Sequence, residues 1–232
     1  MLINCVAYEN GVKLADLNIE EISDYLERPG CFVWVALANA TSEELDEMKA
    51  EFSLHELAVE DARNGHQRPK IEEYDNSLFV VMHLLDFHYG TDGEEEINVG
   101  EVDIFIGSNY VLSVRNNCTR NFLSVRERCE REPHLLKFGA GFVLYALMDA
   151  TVDRYFPIAD QLESELEEIE DQIIAKGAAR ANIRRLYELK SRVMQLKHAV
   201  SPLLEESVKL FGSRAPGVCA SGREYFRDVH DH

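Results

Sequence analysis

The signals for secondary structure change abruptly near residue 136, and this change constrains the fold more than any other feature. Before it, strand-like segments rich in Val, Ile, Phe and Tyr alternate with helical ones. The strand-like segments are 2–7, 12–15, 32–37, 78–87, 99–107 and 110–115. After Pro133, almost every segment carries apolar residues at helical spacing, beginning near Phe138. The pattern predicts an α/β domain over residues 1–136, followed by a helical region.

Local signals place the turns and helices of this first domain. Gly107-Ser108-Asn109 separates the last two strand-like segments and predicts a hairpin turn. Thr41 and Glu44 have the spacing of a capping box at the start of a helix. The predicted helices are 19–28, 41–52, 54–63 and 119–132.

The helical region contains two long segments, each with a narrow apolar seam. Apolar residues recur in steps of three and four from Leu162 to Ile173 and again from Leu186 to Leu203. Gly177 lies between the two segments, so an antiparallel helical hairpin is predicted within residues 137–212. The first segment is acidic and the second is basic, which favours charge pairing across the hairpin. The alternative is a surplus acidic face that gathers cations.

A Gly-, Ser- and Pro-containing loop over residues 211–222 precedes the last segment, 221–232. Ser221 and Glu224 have the spacing of a helix cap, and Asp228 and His232, four apart, share a helix face. The segment reads as the start of a longer helix. We therefore expect these 232 residues to be a fragment of a longer protein.

The net charge of −18, from 42 acidic and 24 basic residues, excludes nucleic acid as the expected partner and favours hard cations. The longest apolar run, from Leu78 to Leu85, is far shorter than the roughly 18 residues of a membrane span. The N-terminus has no basic region of a secretory signal, so we expect the chain to begin in the cytoplasm.

The five cysteines are widely spaced and form no CxxC pair, which is typical of reduced structural thiols rather than of a zinc or redox centre. The sequence has no Gly-rich phosphate loop, no nucleophile elbow and no HExxH motif. We therefore expect a protein that is not an enzyme.

Glu60 and Asp61 are two adjacent acids near the predicted end of a helix. Acids are unfavourable there, because the C-terminal end of the helix dipole is negative. A cation should offset them, and the structural candidates are Arg63, Arg68 and Lys70.

Four separate segments together resemble the cytoplasmic part of CorA-type divalent-metal transporters, the family that includes CorA and ZntB. The order and spacing of these segments fit the family over nearly the whole chain. The segments are Val-Glu-Asp at 59–61 with His-Gln-Arg-Pro-Lys-Ile-Glu at 66–72, Val-Arg-Glu-Arg at 125–128, Leu-Tyr-Ala-Leu-Met-Asp-Ala-Thr-Val-Asp-Arg-Tyr-Phe at 144–156, and Tyr-Phe-Arg-Asp-Val-His-Asp-His at 225–232. The family's Gly-Met-Asn tripeptide, which ends its first membrane helix, is not in this sequence.

The resemblance implies an α/β/α layered domain, a helical hairpin and a long stalk helix that begins at 221–232. It also implies a homopentamer that membrane helices beyond this fragment anchor in the cell inner membrane, with the fragment on the cytoplasmic side. Asp61 and, from a neighbouring subunit, Asp228 match ligands of a regulatory divalent cation. Glu60, Asp149 and His232 match positions around a second cation. The implied function is sensing and transport of Mg²⁺, with Co²⁺ and Ni²⁺ as further ions.

The physical logic supports such a sensor. Two carboxylates about 5 Å apart, at an effective dielectric near 20, repel by roughly 3 kcal/mol, and a bound Mg²⁺ reverses the sign of that interaction. Two alternatives remain open. One is a ZntB-like zinc transporter, for which the candidate ligands are His66, His83, His88, His230 and His232. The other is a soluble acidic coiled-coil adaptor.

Overall fold

The computed structural model describes residues 1–89, 95–176 and 179–232, which build one seven-stranded sheet and the helices on its two faces. The strands are β1 (Leu2–Glu9), β2 (Val12–Asp16), β3 (Cys31–Ala38), β4 (Lys70–Tyr74), β5 (Ser77–Tyr89), β6 (Glu95–Ile106) and β7 (Tyr110–Asn116). The helices are α1 (Ile22–Leu26), α2 (Ser42–Phe52), α3 (Glu56–Asn64), α4 (Leu123–Arg131), α5 (Pro133–Leu136), α6 (Ala140–Val152), α7 (Tyr155–Lys176), α8 (Ala179–Phe211) and α9 (Arg223–Asp231).

The strands lie in the order β2-β1-β3-β7-β6-β5-β4. Only β3 and β7 are parallel, and the other neighbouring pairs are antiparallel. The hairpin turn predicted at 107–109 is confirmed, because the Gly107 amide donates to the Tyr110 carbonyl at 3.1 Å between β6 and β7. The predicted capping box of Thr41 and Glu44 at the start of α2 is also confirmed.

Two separate apolar cores, one on each face of the sheet, confirm the predicted α/β/α layers. On one face, α2 and α3 bury Leu45, Met48 and Val59 against the strands. On the other face, α4 to α9 bury a larger set that includes Phe142, Leu147 and Phe226. The sheet therefore separates α3 from α9, and this separation decides which candidate ligands meet within one chain.

The helical hairpin predicted within residues 137–212 consists of α7 and α8, whereas α6 before it is a separate helix buried against the sheet. The two helices are antiparallel, and charges pair across them as predicted: Arg192 contacts Glu165 at 2.5 Å, and Arg185 lies 3.6 Å from Glu168. Gly177, the predicted break, lies outside the described residues. None of the described helices combines the length and apolar character that a bilayer crossing requires.

The last helix begins later than predicted. Residues 217–222 form a 3-10 turn that contains Ser221, so Gly222 occupies the N-cap position of α9 and the predicted cap by Ser221 was wrong. α9 packs on its own chain: Phe226 is 1% exposed, and Ser207 Oγ lies 2.8 Å from His230 Nδ1. The start of a stalk at 221–232 stays a prediction.

All five cysteines are free thiols, and Cys5, Cys31, Cys129 and Cys219 are buried. Burial raises the pKa of Cys5, Cys129 and Cys219 to about 12. These thiols are therefore protonated and unreactive at neutral pH.

Candidate metal-binding site

Asp61 lies in the last turn of α3 and forms an ion pair with Lys70. The Lys70 ammonium donates to Asp61 Oδ2 at 2.7 Å and also contacts Glu72 Oε2 at 2.9 Å. Burial acts to lower the pKa of Lys70, but its hydrogen bonds to Asp61 and Glu72 outweigh burial, and the pKa is raised. Lys70 is thus the offsetting cation that the helix-dipole argument required.

The other two basic candidates have different partners. Arg63 pairs with Asp46 at 2.5 Å, and Arg68 lies 3.8 Å from Glu205. Both are surface pairs, which contribute little to stability.

Asp228 projects from α9, with 57% of its side chain exposed. Its carboxylate lies 3.9 Å from His232 Nε2, one turn further along, as their spacing predicts. Because α3 and α9 pack on opposite faces of the sheet, Asp61 and Asp228 do not meet within one chain. A cation held between them requires a second chain, so this pair stays a prediction.

The second predicted cluster is divided in the same way. Glu60 is exposed on α3, whereas Asp149 lies on α6 and His232 follows α9 on the other face. The structure brings Asp149 and His232 together, with Asp153 as a third member. One ligand atom from each of these three residues lies within 4.8 Å of the others.

The fold positions this cluster, which we call the α6–α9 cluster. Asp149 and Asp153 are four apart at the C-terminal end of α6, so their carboxylates share a face. The docking of Phe226 and Val229 brings the end of α9, with His232, to that face. Asp149 is 8% exposed, while Asp153 and His232 are exposed, so the cluster opens to solvent on one side.

Arg128 on α4 determines the charge of the α6–α9 cluster. Its Nη1 donates to Asp149 Oδ2 at 2.8 Å. Burial acts to lower the pKa of Arg128, yet the bond to Asp149 raises it overall, so the guanidinium is charged. One guanidinium therefore offsets one of the two carboxylates, which weakens the attraction of the cluster for a cation.

The donor set fits a divalent cation. Two carboxylate oxygens suit Mg²⁺, which binds one or two carboxylates and keeps several waters. The imidazole nitrogen is a ligand that Co²⁺, Ni²⁺ and Zn²⁺ accept more readily. The cluster can hold one such ion, directly or through water.

Sequence reasoning missed Asp153, although the signal was present. Asp153 belongs to the segment 144–156 that carries the family resemblance, and it follows Asp149 by four residues on a predicted helix. That spacing places two carboxylates on one helix face.

The residues that the zinc alternative would need are dispersed. His83 Nε2 lies 2.9 Å from the Gln67 carbonyl, His88 pairs with Glu96 at 3.3 Å, and His230 contacts Ser207. Among the described residues, His232 is the only one of the five predicted histidines in a group that could hold a metal.

Comparison with known proteins agrees with this fold. The family profile described as "CorA-like Mg2+ transporter protein" matches residues 30–232. The cobalt/magnesium transport protein CorA of Thermotoga maritima is 30% identical over 182 residues, which are 78% of this chain and 51% of that protein. The chain thus spans about half of that protein and 65% of the "Putative metal ion transporter YfjQ" of Bacillus subtilis, to which it is 29% identical over 94% of its own length.

Two solved structures share the fold. The soluble domain of CorA from Methanocaldococcus jannaschii has a TM-score of 0.74 at 19% identity, over 100% of this chain and 88% of that one. The ZntB cytoplasmic domain from Vibrio parahaemolyticus has a TM-score of 0.75 at 11% identity, over 99% of this chain and 86% of that one. With a family profile that extends over most of its length, the chain belongs to the CorA-like Mg²⁺ transporter family.

Proposed function

We propose that this chain is the cation-sensing part of a divalent-cation transporter, on the cytoplasmic side of the cell inner membrane, and that Mg²⁺ is the regulating ion. The observation that carries the proposal is the α6–α9 cluster in a chain of this family. Family membership also favours this function over the acidic adaptor.

The cluster joins two elements that differ in how firmly they are held. α6 is buried in the core, whereas α9 contributes only Phe226 and Val229 as buried side chains. A cation between Asp149 or Asp153 and His232 adds a bond between α9 and α6. When intracellular Mg²⁺ falls and the ion leaves, α9 is held by packing alone, and its populations shift toward detached states.

A second ion between subunits would act in the same direction. In the proposed homopentamer, Asp61 of one chain and Asp228 of its neighbour bind Mg²⁺ at the interface, with Glu60 nearby. Lys70 already neutralises Asp61 within the chain, so the ion competes with an ammonium group. This competition makes the site weak, as a sensor of a common intracellular ion requires.

Zinc is the second candidate ion. His232 favours it, because an imidazole ligand suits Zn²⁺ better than Mg²⁺. Melting curves with Mg²⁺, Co²⁺ and Zn²⁺ at equal ionic strength distinguish the two. A stabilisation by Zn²⁺ at concentrations far below those at which Mg²⁺ acts would favour the zinc sensor.

The central test is thermal melting with MgCl₂ against NaCl of matched ionic strength. At ten times the dissociation constant, Mg²⁺ should stabilise the chain by about 1.4 kcal/mol, which is about 3–5 °C in Tm for a chain of this size. At chain concentrations too low for self-association, where the interchain ion contributes nothing, Asp153→Asn should abolish the difference. Asp160→Asn on α7, an exposed acid outside the cluster, is the control and should keep it. Equal melting in the two salts would contradict the proposal.

The interchain pair has a separate readout. Asp228→Asn should change the stability of the isolated chain by less than about 0.5 kcal/mol, because Asp228 is a surface residue, yet it should reduce Mg²⁺-dependent self-association in sedimentation velocity. Asp61→Asn should also reduce Mg²⁺-dependent self-association. Its loss of the Lys70 ion pair should lower the free energy of unfolding by less than about 1 kcal/mol. If both variants associate like the wild type at every Mg²⁺ concentration, the two aspartates serve only as intrachain ion-pair partners.

A further inference from the structure

Two acids lie buried in the middle of the sheet, far from the α6–α9 cluster. Glu101 and Asp103 alternate along β6, so both side chains point to the face that α3 covers. Asp103 is fully buried and Glu101 is 6% exposed. Burial of two neighbouring anions in an apolar sheet is costly, so the pair requires an explanation.

The hydrogen bonds of the two carboxyl groups explain how the pair can be buried. The Gln67 amide donates to Glu101 Oε2 at 2.8 Å, and Asn116 Nδ2 donates to Asp103 Oδ2 at 3.2 Å. The remaining oxygens, Glu101 Oε1 and Asp103 Oδ1, are buried and receive no donor from the described residues. The two carboxyl groups are neighbours on one face of β6, two residues apart. A single proton held between them gives one oxygen a donor role and the other an acceptor role, and so accounts for both orphaned oxygens.

The proton belongs to Asp103. Burial and the negative charge of Glu101 raise the pKa of Asp103 well above its ordinary value. Burial also raises the pKa of Glu101, against the Gln67 hydrogen bond and the nearby His83, which lower it. Asp103 therefore donates to the Glu101 carboxylate.

The hydrogen bond from Gln67 holds an unfavourable backbone segment. Residues 65–69 connect α3 to β4, and both Gly65 and His66 have positive φ, 61° and 58°. A positive φ is uncommon for a residue other than glycine, although histidine adopts it more readily than most, and surrounding contacts are needed to maintain it. The contacts here are the Gln67 amide on Glu101 and the Gln67 carbonyl on His83.

Glu101 has room to leave this arrangement, and Asp103 does not. Glu101 lines an open cleft of about 940 Å³ between α3 and α8, whereas Asp103 lies beneath it. The titratable and charged groups that face the pair are Asp61 from α3, His66 from the connecting segment and His83 from β5. The cleft is further lined by Arg63, Arg68, Lys197, His198 and Glu205.

We propose that Glu101 and Asp103 share one proton at neutral pH, and that its loss releases segment 65–69 from the sheet. Once Asp103 ionises, two adjacent carboxylates repel each other in the interior, and the repulsion is relieved when Glu101 turns into the cleft. Gln67 then loses its acceptor. Because the segment joins the helix of Asp61 to the strand of Lys70, proton loss loosens the geometry of that ion pair. The inference does not depend on the proposed cation function.

Amide hydrogen exchange of Gln67, followed by NMR between pH 5 and pH 9 and corrected for intrinsic exchange, tests this directly. In the wild type the protection of Gln67 should fall as Asp103 ionises, by about tenfold for each pKa unit that separates Asp103 in the closed segment from Asp103 in the released one. In Asp103→Asn the amide replaces the proton as a permanent donor to Glu101, so protection should not depend on pH. Glu73→Gln, an exposed acid on β4, is the control and should behave as the wild type.

Stability provides a second readout. The folded chain keeps a proton on Asp103 that the unfolded chain releases near the ordinary pKa of aspartate. The free energy of unfolding should therefore fall as pH rises from the pKa of Asp103 in the unfolded chain to its raised pKa in the folded chain. Asp103→Asn should flatten this dependence. The inference is overturned if Gln67 protection and the pH dependence of Tm are the same in Asp103→Asn and in the wild type. If Asp103→Asn does not fold, Glu101→Gln takes its place in the test. That substitution removes the same repulsion between carboxylates, so it should also abolish the pH-dependent loss of Gln67 protection.

Discussion

Replacement of Phe226 with alanine is expected to reduce the free energy of unfolding by about 3–5 kcal/mol, the cost of removing a buried phenylalanine ring. Phe226 is 1% exposed and meets Tyr145 of α6 edge to face, with 6.5 Å between ring centroids. Phe226 and Val229 are the two buried side chains of α9, and Phe226 is the larger. The variant should also lose the Mg²⁺-dependent stabilisation, because His232 follows α9 and leaves the α6–α9 cluster with it.

Urea denaturation and melting with and without Mg²⁺ measure the two effects of Phe226→Ala. Glu224→Ala, an exposed substitution on the same helix, is the matched control and should leave both nearly unchanged. If Phe226→Ala costs no more than Glu224→Ala, α9 does not depend on this contact. If it unfolds easily but retains the full cation response, the α6–α9 cluster is not the cation site.

The second large effect is expected at Gly141, in the first turn of α6. A β-carbon there would lie 2.1 Å from the Val218 carbonyl oxygen, a distance that the backbone does not permit. Gly141→Ala should therefore destabilise the chain by about 2–3 kcal/mol through overpacking, although alanine favours a helix by about 1 kcal/mol over glycine. The segment 217–222 must move, and α9 with it.

Chemical denaturation of Gly141→Ala checks this, with Gly217→Ala as the control. No atom lies within 4 Å of a β-carbon built at Gly217, so that variant should keep the stability of the wild type. A Gly141→Ala chain as stable as the control would show that the contact between α6 and segment 217–222 is loose.

The sequence pattern was sufficient for the elements that carry a strong local signal. Six strands and both layers of helices follow from apolar runs and helical spacing. β4 was missed because Lys70–Tyr74 buries only Ile71 and otherwise carries charged or half-exposed side chains. It is a strand through its pairing with β5, a contact that no local pattern contains. The prediction that Ser221 caps α9 failed for a related reason. The spacing of Ser221 and Glu224 is compatible with a helix cap, but it does not exclude a 3-10 turn at the same residues.

The residues of the candidate site also differ in how far the sequence alone could predict their contacts. The resemblance led to Asp149 and His232, which are 83 residues apart and which only the docking of α9 brings together. Asp153 required the further step of reading the helix face. Asp61 and Asp228 depend on contacts between chains, which the folding of one chain does not determine. The pairing of Asp61 with Lys70 was among the structural alternatives, and the structure realises it.

Glu101 and Asp103 show what a sequence reading overlooks when it follows apolar residues alone. Two acids at alternate positions in a strand that is otherwise rich in Val, Ile and Phe point into the same core. That conflict between charge and burial is visible in the sequence, and it marks a position where the protein must bind a proton or a partner.

The buried thiol of Cys219 lies in the 3-10 turn that follows α8, against α6 and α9. With a pKa raised to about 12 by burial, it reacts only when this part of the helical layer opens and the thiol regains its ordinary acidity. Its alkylation rate therefore reports the opening frequency of the layer, separately from Cys5 beneath the opposite helices, whose labelling reports opening of the other face. The chain thus carries natural chemical probes of local unfolding on both sides of its sheet.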